Sequence, residues 1–452
     1  MSIDWQPDRR GAWAEVDLSA IRSNVSLLAS IVKPSILCAV VKANAYGHGA
    51  QEVAVAALDG GAQWLAVAFG EEALEVREAV TDAPILLLQE PSVGTDSHDI
   101  RDLLELGIVP TVYSAEGIER IGKVAQSMGR KVDVHLKVDT GMHRVGADIK
   151  KLDSVMELLS RFPSLRVTGL WSHLAVADGD CSEDIEFTDR QLEALKSVSG
   201  EVGYSEESPV MLHLANSAGA IAHPSTRLDM VRCGISIYGE IPSEMVAAKL
   251  AEQVRSAEQV GSAEQTRSAE QVGSAEQVGS AEQTRSAEQV GSHSAGYQLP
   301  LPPSKLIPAL SLKARVSYVR ELEKGERLSY GRHYKLDRRS IVATVPLGYA
   351  DGLARGLFKP GLNSNEDVNG GTNGYVLLRG EKRPIAGTVT MDQVLIDCGD
   401  DASVSVGDEV VVIGEQADVQ VTASDLARKL GTISYEVFCG ISSRIPRVYL
   451  NR

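Results

Sequence analysis

The chain has 452 residues, of which 43% are hydrophobic, and its 45 Lys and Arg against 61 Asp and Glu give a net charge of −16. This acidic balance disfavours nucleic acid or an anionic membrane as the main partner, since both attract basic patches. The length predicts two or three domains, and no apolar run is long enough to span a bilayer.

The cysteine and histidine residues argue against a disulfide framework or a metal centre. The five cysteines are widely spaced, without a CxxC pair, and we expect reduced thiols in a cytoplasmic protein. None of the nine histidines belongs to an HExxH or HxH arrangement, so the sequence predicts no metal site. Residues 1–11 are polar and charged and lack the apolar stretch of a secretion signal.

Residues 1–240 alternate short β-rich runs with amphipathic stretches. The runs with β character are Ile36–Lys42, Trp64–Phe69, Ile85–Gln89, Val109–Tyr113, Val132–Asp139, Val167–His173, Val210–Asn216 and Met230–Tyr238. Helical patterns between them lie at Glu71–Ala79, Ile118–Met128, Lys151–Arg161 and Asp189–Ser199. The repeated β/α alternation predicts an α/β fold with an N-terminal parallel (β/α)8 barrel of the TIM type, whose usual size is about 250 residues. By itself it leaves a doubly wound sheet open.

Residues 251–292 differ from the rest, because tandem hexads, SAEQVG or SAEQTR, follow a partial unit that ends at Arg255. A period of six advances a helix by about 240° per unit, so the valines spread over three faces and form no apolar stripe. A hexapeptide β-solenoid would have about two coils, with one small aliphatic residue per unit, which cannot bury a core. We interpret residues 241–304 as a linker with a polar insert, flexible or partly helical, that contributes little to a core.

Residues 305–452 show short strands separated by Gly, Asp and Asn turns. The predicted strands are Leu306–Val319, Ile341–Pro346, Gly374–Leu378, Val394–Asp397 and Glu409–Ile413, and one helix is predicted at Ala423–Leu430. This pattern indicates a C-terminal, mostly antiparallel β domain. A further short strand near residues 11–17 is a candidate to join it.

Polar and charged residues collect where the predicted barrel strands end, which is where barrel enzymes place their chemistry. These residues are Lys42, Lys137, Asp139, Arg144, Ser172, His173, His213, Asn216, Ser217, Arg232 and Gly234. Any one of them is more often a satisfied polar group at a strand end. Two lysines, two arginines and two histidines on one rim indicate instead a site for a ligand that carries an anionic group.

Lys42 ends the apolar run that begins at Leu37. Burial lowers the pKa of an amine, and a rigid strand fixes its approach to a carbonyl, so this is the placement that a Schiff-base lysine needs. The signal is weak by itself, because many strands end in an exposed lysine.

Residues 39–49, AVVKANAYGHG, resemble the pyridoxal 5′-phosphate (PLP) lysine signature of the alanine racemases. The resemblance continues in order through KVDTGMHRVG, SHLAVAD, HLANSA, VRCGISIYG, SYGRHY, GYADG, MDQ and ISYEV, and covers nearly the whole chain outside the hexad insert. Nine ordered motifs are far more specific than a single phosphate loop. The resemblance implies a PLP-dependent isomerase that interconverts L- and D-alanine and supplies D-alanine for peptidoglycan.

The resemblance also implies which residues bind PLP. Lys42 would hold it covalently, and the further contacts implied are Tyr46, His173, Asn216, Ser217, Tyr435 and the backbone amides of Gly234 and Ile235. Arg232 would face the pyridine nitrogen, with His213 behind it. Because a guanidinium keeps its proton, the pyridine nitrogen would stay unprotonated and the ring would be a poorer electron sink, which favours racemisation over transamination.

Racemisation requires one base on each face of the substrate carbon. The resemblance implies Lys42 on the D-alanine face and Tyr330 on the L-alanine face, with His173 and Arg232 lowering the pKa of Tyr330. Tyr330 and Met391 would come from the partner subunit of a head-to-tail homodimer.

Further residues are implied for the substrate. Arg144 would contact its carboxylate, and Lys137 is a candidate for carbamylation, which would turn a cation into an acceptor that orients Arg144. The residues implied for the substrate corridor are Asp178, Tyr334, Tyr349 and Arg355.

Three features depart from the family pattern. Thr388 stands where many members have arginine, Thr390 stands where many have cysteine, and the hexad insert separates the barrel from the β domain. The two threonines are expected to affect the corridor rather than the chemistry.

Three other functions stay open at this point. A racemase of another small amino acid such as serine would share every motif. A related PLP barrel decarboxylase usually pairs the pyridine nitrogen with a carboxylate, against which VRCG argues. A non-catalytic PLP-binding protein is typically a bare barrel, without a β domain.

Overall fold

A closed parallel barrel forms the first part of the computed structural model, which describes residues 11–91, 94–203, 210–256, 305–360 and 373–452. The strands up to its end are β1 (Ala12–Asp17), β2 (Ile36–Val40), β3 (Trp64–Val67), β4 (Ile85–Leu87), β5 (Ile108–Val112), β6 (Val132–Asp139), β7 (Ala147–Asp148), β8 (Leu165–Trp171), β9 (Met211–His213) and β10 (Met230–Cys233). The order β5-β4-β3-β2-β10-β9-β8-β6 closes where Thr111 of β5 pairs with His135 of β6. The predicted (β/α)8 barrel is confirmed, and the doubly wound sheet, which is open, is excluded.

Helices surround this barrel and follow its strands. They are α1 (Leu18–Val32), α2 (Lys42–Tyr46), α3 (Ala50–Asp59), α4 (Gly70–Ala79), α5 (Ser97–Glu105), α6 (Ala115–Met128), α7 (Leu152–Ser160), α8 (Ser182–Ser197), α9 (Ser217–Ala222) and α10 (residues 244–256). In α6 the Ser114 hydroxyl caps the first turn, left-handed Gly129 ends the last, and Ile118, Ile121 and Val124 form the buried stripe. Within the described ranges, no helix is long and apolar enough to cross a membrane.

The C-terminal part is a mostly antiparallel β domain, as predicted. Its elements are β11 (Leu310–Arg315), β12 (Tyr318–Leu322), β13 (Arg327–Leu328), β14 (Tyr334–Lys335), β15 (Ser340–Val345), β16 (Tyr375–Leu378), β17 (Glu381–Pro384), β18 (Val394–Asp397), β19 (Glu409–Gln416), β20 (Val419–Val421), α11 (Ala423–Leu430), α12 (Ser434–Cys439) and β21 (Arg447–Leu450). One sheet runs β17-β16-β19-β11-β1-β21, and a smaller one runs β12-β15-β18.

The two parts share their first strand. β1 pairs antiparallel with β11 and parallel with β21, so β1 belongs to the β domain, and the chain then enters the barrel through α1. Asp17 links both, because its carboxylate caps α1 through Ser19 N (2.8 Å) and accepts from the Asn451 side chain (3.0 Å). The N-terminal strand therefore ties the barrel to the chain's far end.

The first part of the predicted polar insert behaves differently from the expectation. Residues 244–256 form the continuous helix α10, which extends into the partial repeat unit. Val246, Leu250 and Val254 recur every four residues and are buried, so one apolar stripe packs against the barrel. Gln253 adds a hydrogen bond to the Ile221 carbonyl. The expectation of a segment without a buried face therefore fails at Val254, and residues 257–292 lie outside the described ranges.

We predict that two valines at equivalent positions of the repeat contribute very differently to stability. Val254→Ala should lower the free energy of unfolding by about 1–3 kcal/mol, since it leaves a cavity in the core. Val260→Ala, the same change one repeat unit later, should cost less than about 0.5 kcal/mol, because the hexads carry no apolar stripe. Urea unfolding of both variants measures this. Equal losses would mean that the repeat continues to pack as α10 does.

Candidate active site

A cavity of about 940 Å³ lies at the carboxyl ends of the barrel strands, and α11 and α12 of the β domain border it. Its lining brings together most residues that the sequence indicated for one site. Those residues are Lys42, Tyr46, Lys137, Arg144, His173, Asp178, Asn216, Ser217, Arg232, Gly234, Ile235 and Tyr435. His213 is buried behind Arg232.

A left-handed turn follows Lys42 and shapes this end of the cavity. Residues 43–46 all have φ of 52° or 53°, a conformation that costs about 1–2 kcal/mol per residue outside glycine. Three contacts hold it: Ala43 N donates to Glu72 Oε1 (2.6 Å), Ala50 N donates to the Asn44 side chain (2.8 Å), and left-handed Gly47 ends it. Strain kept in place by distant contacts is typical of functional sites.

The Lys42 amine is biased toward its neutral form. Burial is the main cause that lowers its pKa, and the Arg144 guanidinium lowers it further, against the attraction of Glu72. A neutral amine at the end of a rigid strand can attack a carbonyl or accept a proton.

Three neutral donors, the hydroxyls of Ser217, Tyr46 and Tyr435, form a cradle around Gly234 in the cavity that Lys42 lines. Ser217 Oγ accepts from Gly234 N (3.0 Å), which leaves the serine hydrogen free to donate into the cavity. A Cβ on Gly234 would lie 2.4 Å from Tyr46 Oη, so only glycine lets the phenol approach. Burial raises the pKa of Tyr46 and of Tyr435, whose rings lie 5.9 Å apart, and both stay protonated donors. A group of neutral donors that converges in this way suits a phosphate.

Arg232 carries a buried charge at the floor of the cavity. Its guanidinium donates to the carbonyls of Ser172 (2.7 Å) and Leu214 (3.0 Å) and to His213 Nδ1 (2.7 Å). The Trp171 ring lies 4.6 Å from its central carbon. Burial lowers the pKa of Arg232 to about 10, which leaves it protonated at neutral pH.

Arg232 also determines which nitrogens of two histidines carry hydrogen. A guanidinium only donates, so His213 Nδ1 must accept, and the hydrogen of neutral His213 is on Nε2. That hydrogen points at His135 Nδ1, 2.9 Å away, so His135 is also an Nε2–H tautomer. His135 Nε2 is buried, without a hydrogen-bond partner among the described residues, and its ring centre lies 5.4 Å from that of Trp64. A directed chain of donors thus runs from Arg232 into the barrel core.

Two other basic side chains of the site, Lys137 and His173, also have lowered pKa values. Lys137 Nζ lies 4.2 Å from the Trp171 ring centre, and burial, then Arg232 and Arg144, lower the pKa of Lys137 to about 7. Burial and Arg232 also hold the pKa of His173 well below its usual value. The strand periodicity could have revealed His135, because residues two apart in β6 share the face that carries Lys137. No local signal identifies Glu72, which reaches Lys42's turn from another helix.

Apart from Tyr435, the residues indicated on the β domain do not line this cavity. Tyr330, Tyr349 and Met391 have exposed fractions of 72%, 42% and 52%, and Arg355 is exposed too. Backbone bonds place Tyr349 beside Met391, since Tyr349 N donates to Thr390 O (3.0 Å) and Ala350 N donates to Met391 O (3.1 Å). This chain therefore presents an exposed face rather than completing its own site.

Tyr334, which the resemblance implied for the substrate corridor, packs inside the β domain. The side chain is buried in the β domain, and its hydroxyl donates to Asp397 Oδ2 (2.8 Å). The ring packs near Phe358. The motif alone did not separate the exposed Tyr330 from the packed Tyr334, because only four positions separate them around one short turn. No group of three potential ligands for a metal ion occurs in the described part.

Comparison with known proteins gives full-length matches. The family model for the alanine racemase N-terminal domain matches residues 16–242, and that for the C-terminal domain matches residues 309–449. The alanine racemase of Symbiobacterium thermophilum is 38% identical over 440 residues, covering 97% of both chains. That of Clostridium tetani is 34% identical over 444 residues, covering 98% of this chain and 96% of the relative.

Solved structures agree over the same length. The alanine racemase from Streptomyces coelicolor A3(2) has a TM-score of 0.77 and 30% identity and covers 98% of this chain and 99% of that chain. The alanine racemase from Bacillus anthracis with bound L-Ala-P has a TM-score of 0.75 and 30% identity, with coverage of 98% and 96%.

We predict that His135 and His213 stay neutral Nε2–H tautomers at pH 5.5. Burial and Arg232 lower the pKa of His135 to about 3 and that of His213 well below 6.5. Since unfolded histidines take up protons below about pH 6.5, the free energy of unfolding should fall as the pH falls from 6.5 toward 3. His135→Gln should reduce that slope by one proton, about 1.4 kcal/mol per pH unit.

Nitrogen-15 NMR of histidine-labelled protein measures the tautomers, and urea unfolding at pH 6.5 and 5.5 measures the slope. His135→Gln and His213→Gln assign the resonances. A protonated ring at pH 5.5, or hydrogen on Nδ1, would contradict the donor chain.

Proposed function

The chain belongs to the alanine racemase family and is an isomerase that interconverts L- and D-alanine; from this premise we propose that it uses PLP at the barrel cavity and two bases, Lys42 and Tyr330. The observation that carries the proposal is the position of Lys42, which follows the buried strand β2 and lines one cavity together with Arg232 and the donor cradle. The matches do not favour a serine racemase or a non-catalytic binding protein.

The donor set fits PLP. Lys42 would hold it covalently, with Asn216 and His173 also at the cavity wall, and the phosphate would lie against Tyr46, Ser217, Tyr435 and the amides of Gly234 and Ile235. When bound, PLP supplies an electron sink that acidifies the substrate Cα hydrogen. Gly234 supports this fit, because any side chain there would fill the space that Tyr46 occupies.

Arg232 would orient the ring without giving it a proton. Its guanidinium is held by two carbonyls and His213 and remains charged at neutral pH. A donor that keeps its proton limits how far negative charge spreads away from Cα, so the proton returns to Cα quickly and transamination is suppressed. The neutral His213 and His135 behind it fix the direction of this donor.

The two bases would act from opposite faces. Lys42 Nζ, whose lowered pKa favours a neutral amine, takes or returns the proton on the D-alanine face. Tyr330 Oη serves the L-alanine face from the partner protomer, beside the partner's Met391. The exposure of Tyr330 and Met391 supports a head-to-tail homodimer, since large side chains without a covering surface are expected at interfaces.

Arg144 would contact the substrate carboxylate, and Lys137 would orient Arg144 as a carbamate. A pKa of about 7 leaves much of Lys137 as a neutral amine, which is the form that reacts with carbon dioxide to give a carbamate. A carbamate there would offset the nearby charges of Arg144 and Arg232 and orient Arg144 by accepting from it. Asp178, Tyr349 and Arg355 are proposed for the substrate corridor.

Finer assignments follow from the family. We place the enzyme in the cytoplasm and its product, D-alanine, in the supply of peptidoglycan synthesis.

We predict that the purified holoenzyme converts L-alanine to the racemate and loses this activity on borohydride reduction. Peptide mapping should then find the pyridoxyl group on Lys42, whose amine is the more exposed of the two cavity lysines. Lys137 in the same cavity is the internal control and should stay unlabelled. Label on Lys137 alone, or a serine rate equal to the alanine rate, would overturn the assignment.

We predict that two inactive variants restore activity to each other. Lys42→Ala and Tyr330→Phe should each lose about 10²-fold or more as homodimers, since each lacks one base. In a mixed dimer one site would combine an intact Lys42 with an intact Tyr330, so random mixing should recover about a quarter of the parent rate. The control mixes each variant with itself. No recovery, with mixed dimers present by native mass spectrometry, would place both bases in one chain.

A further inference from the structure

The β domain does not cover the side chain of Tyr330. Its phenol is 72% exposed. A base must nevertheless lie within about 3 Å of the proton it transfers, and misplacement by 1 Å can cost about 10²-fold in rate. The direction in which the phenol leaves the β domain therefore has to come from the backbone at Tyr330.

The backbone before Tyr330 is strained. Ser329 has φ 60° and ψ −175°, a region that is almost exclusive to glycine and costs about 1–3 kcal/mol for other residues. Such a conformation persists only where neighbouring contacts enforce it. A serine rather than a glycine at this position suggests that its hydroxyl takes part.

Two reciprocal hydrogen bonds hold Ser329 in this conformation. Ser329 Oγ donates to the Thr388 carbonyl (2.6 Å), and Thr388 Oγ1 donates to the Tyr330 carbonyl (2.9 Å). The two segments touch closely, because a Cβ on Gly387 would lie 2.9 Å from Ser329 Cβ. Thr388 is buried, so water competes little for either bond.

Thr388 is also one of the positions where the sequence departs from the family pattern. The short threonine side chain ends at the Tyr330 carbonyl, whereas arginine has a longer stem with its donors at the far end. The departure noted in the sequence thus lies in direct contact with the residue proposed as the second base.

We propose that Thr388 and Ser329 form a clamp that positions Tyr330. Both act as positioning residues: they fix the peptide units on either side of the Tyr330 Cα and so aim its phenol toward the partner protomer's cavity. The proposal rests on the proposed role of Tyr330 and deepens it. Loosening the clamp should slow the proton transfer on the L-alanine face and leave the transfer by Lys42 unchanged.

Racemisation rates alone cannot reveal this selectivity. L- and D-alanine are equally stable, so kcat/KM falls equally in both directions whichever base is impaired. Exchange of the D-alanine Cα hydrogen with solvent, without inversion, requires only the Lys42 step. The ratio of this exchange to racemisation therefore reports on Tyr330 specifically.

The experiment uses D-alanine in D₂O with the holoenzyme dimer, following deuterium at Cα by NMR and the enantiomer ratio by chiral chromatography. Thr388→Val should lower kcat for racemisation about 10-fold, leave KM within about twofold, and raise the exchange ratio about 10-fold. Thr388→Ser, which keeps the hydroxyl, should restore most of the rate. Ser329→Ala should resemble Thr388→Val.

The matched control for Ser329→Ala is Ser317→Ala, which removes a similar bond, from Ser317 Oγ to the Thr344 carbonyl (3.0 Å), elsewhere in the β domain. It should leave kcat and the ratio unchanged. If Thr388→Val fails to form a folded dimer, Thr388→Ser and Ser329→Ala decide in its place.

Tyr330→Phe, run in parallel, separates two kinds of failure. If it loses racemisation but keeps exchange while the clamp variants behave as the parent, the clamp is wrong and the proposed function stands. If Tyr330→Phe keeps full activity, the second base and the clamp are both wrong. Equal loss of exchange and racemisation in Thr388→Val, or no rescue by Thr388→Ser, would reduce the clamp to a packing contact.

Discussion

A guanidinium charge buried among neutral partners governs the chemistry of this barrel. Arg232 finds no carboxylate among the described residues, and it is held by two carbonyls, the neutral histidines His213 and His173, and the face of Trp171. An unpaired buried cation costs several kcal/mol unless hydrogen bonds compensate for lost hydration, and here the bonds do so without cancelling the charge. Arg232 therefore remains a source of positive potential for everything around it.

That potential explains why the neighbouring bases stay neutral. Burial is the largest cause in each case, and Arg232 is the next, for the lowered pKa of Lys137, His173, His213 and His135. Because these pKa values are lowered, the histidines can accept and pass on hydrogen bonds, and Lys137 can react as an amine. The charge of Arg232 favours an anionic ligand. Binding of a phosphate and a carboxylate would then complete the charge balance and stabilise the fold by linkage.

The sequence predicted the features that depend on local pattern and missed those that depend on distant contacts. All eight barrel strands lie where apolar runs indicated, because a strand buried on both faces is mostly apolar. The left-handed turn after Lys42 could not be predicted, since Glu72, which binds Ala43 N, comes from another helix. The burial of Val254 was not predicted for a related reason. Its apolar stripe begins at Val246, before the repeat, and the repeat alone shows no such stripe.

The two proposed bases lie on different domains and are held to different degrees. Lys42 lies two residues after β2, and the pairing of β2 with β3 and β10 holds the strand that leads to it. Tyr330 lies on a short turn whose backbone alone is restrained, and its phenol is exposed. If both bases belonged to one cavity of one chain, each could pair with the other and neither would be free for substrate. In the proposed head-to-tail dimer, placing the two bases on different domains would keep them apart within one chain, and the geometry of the interface would set the distance between them.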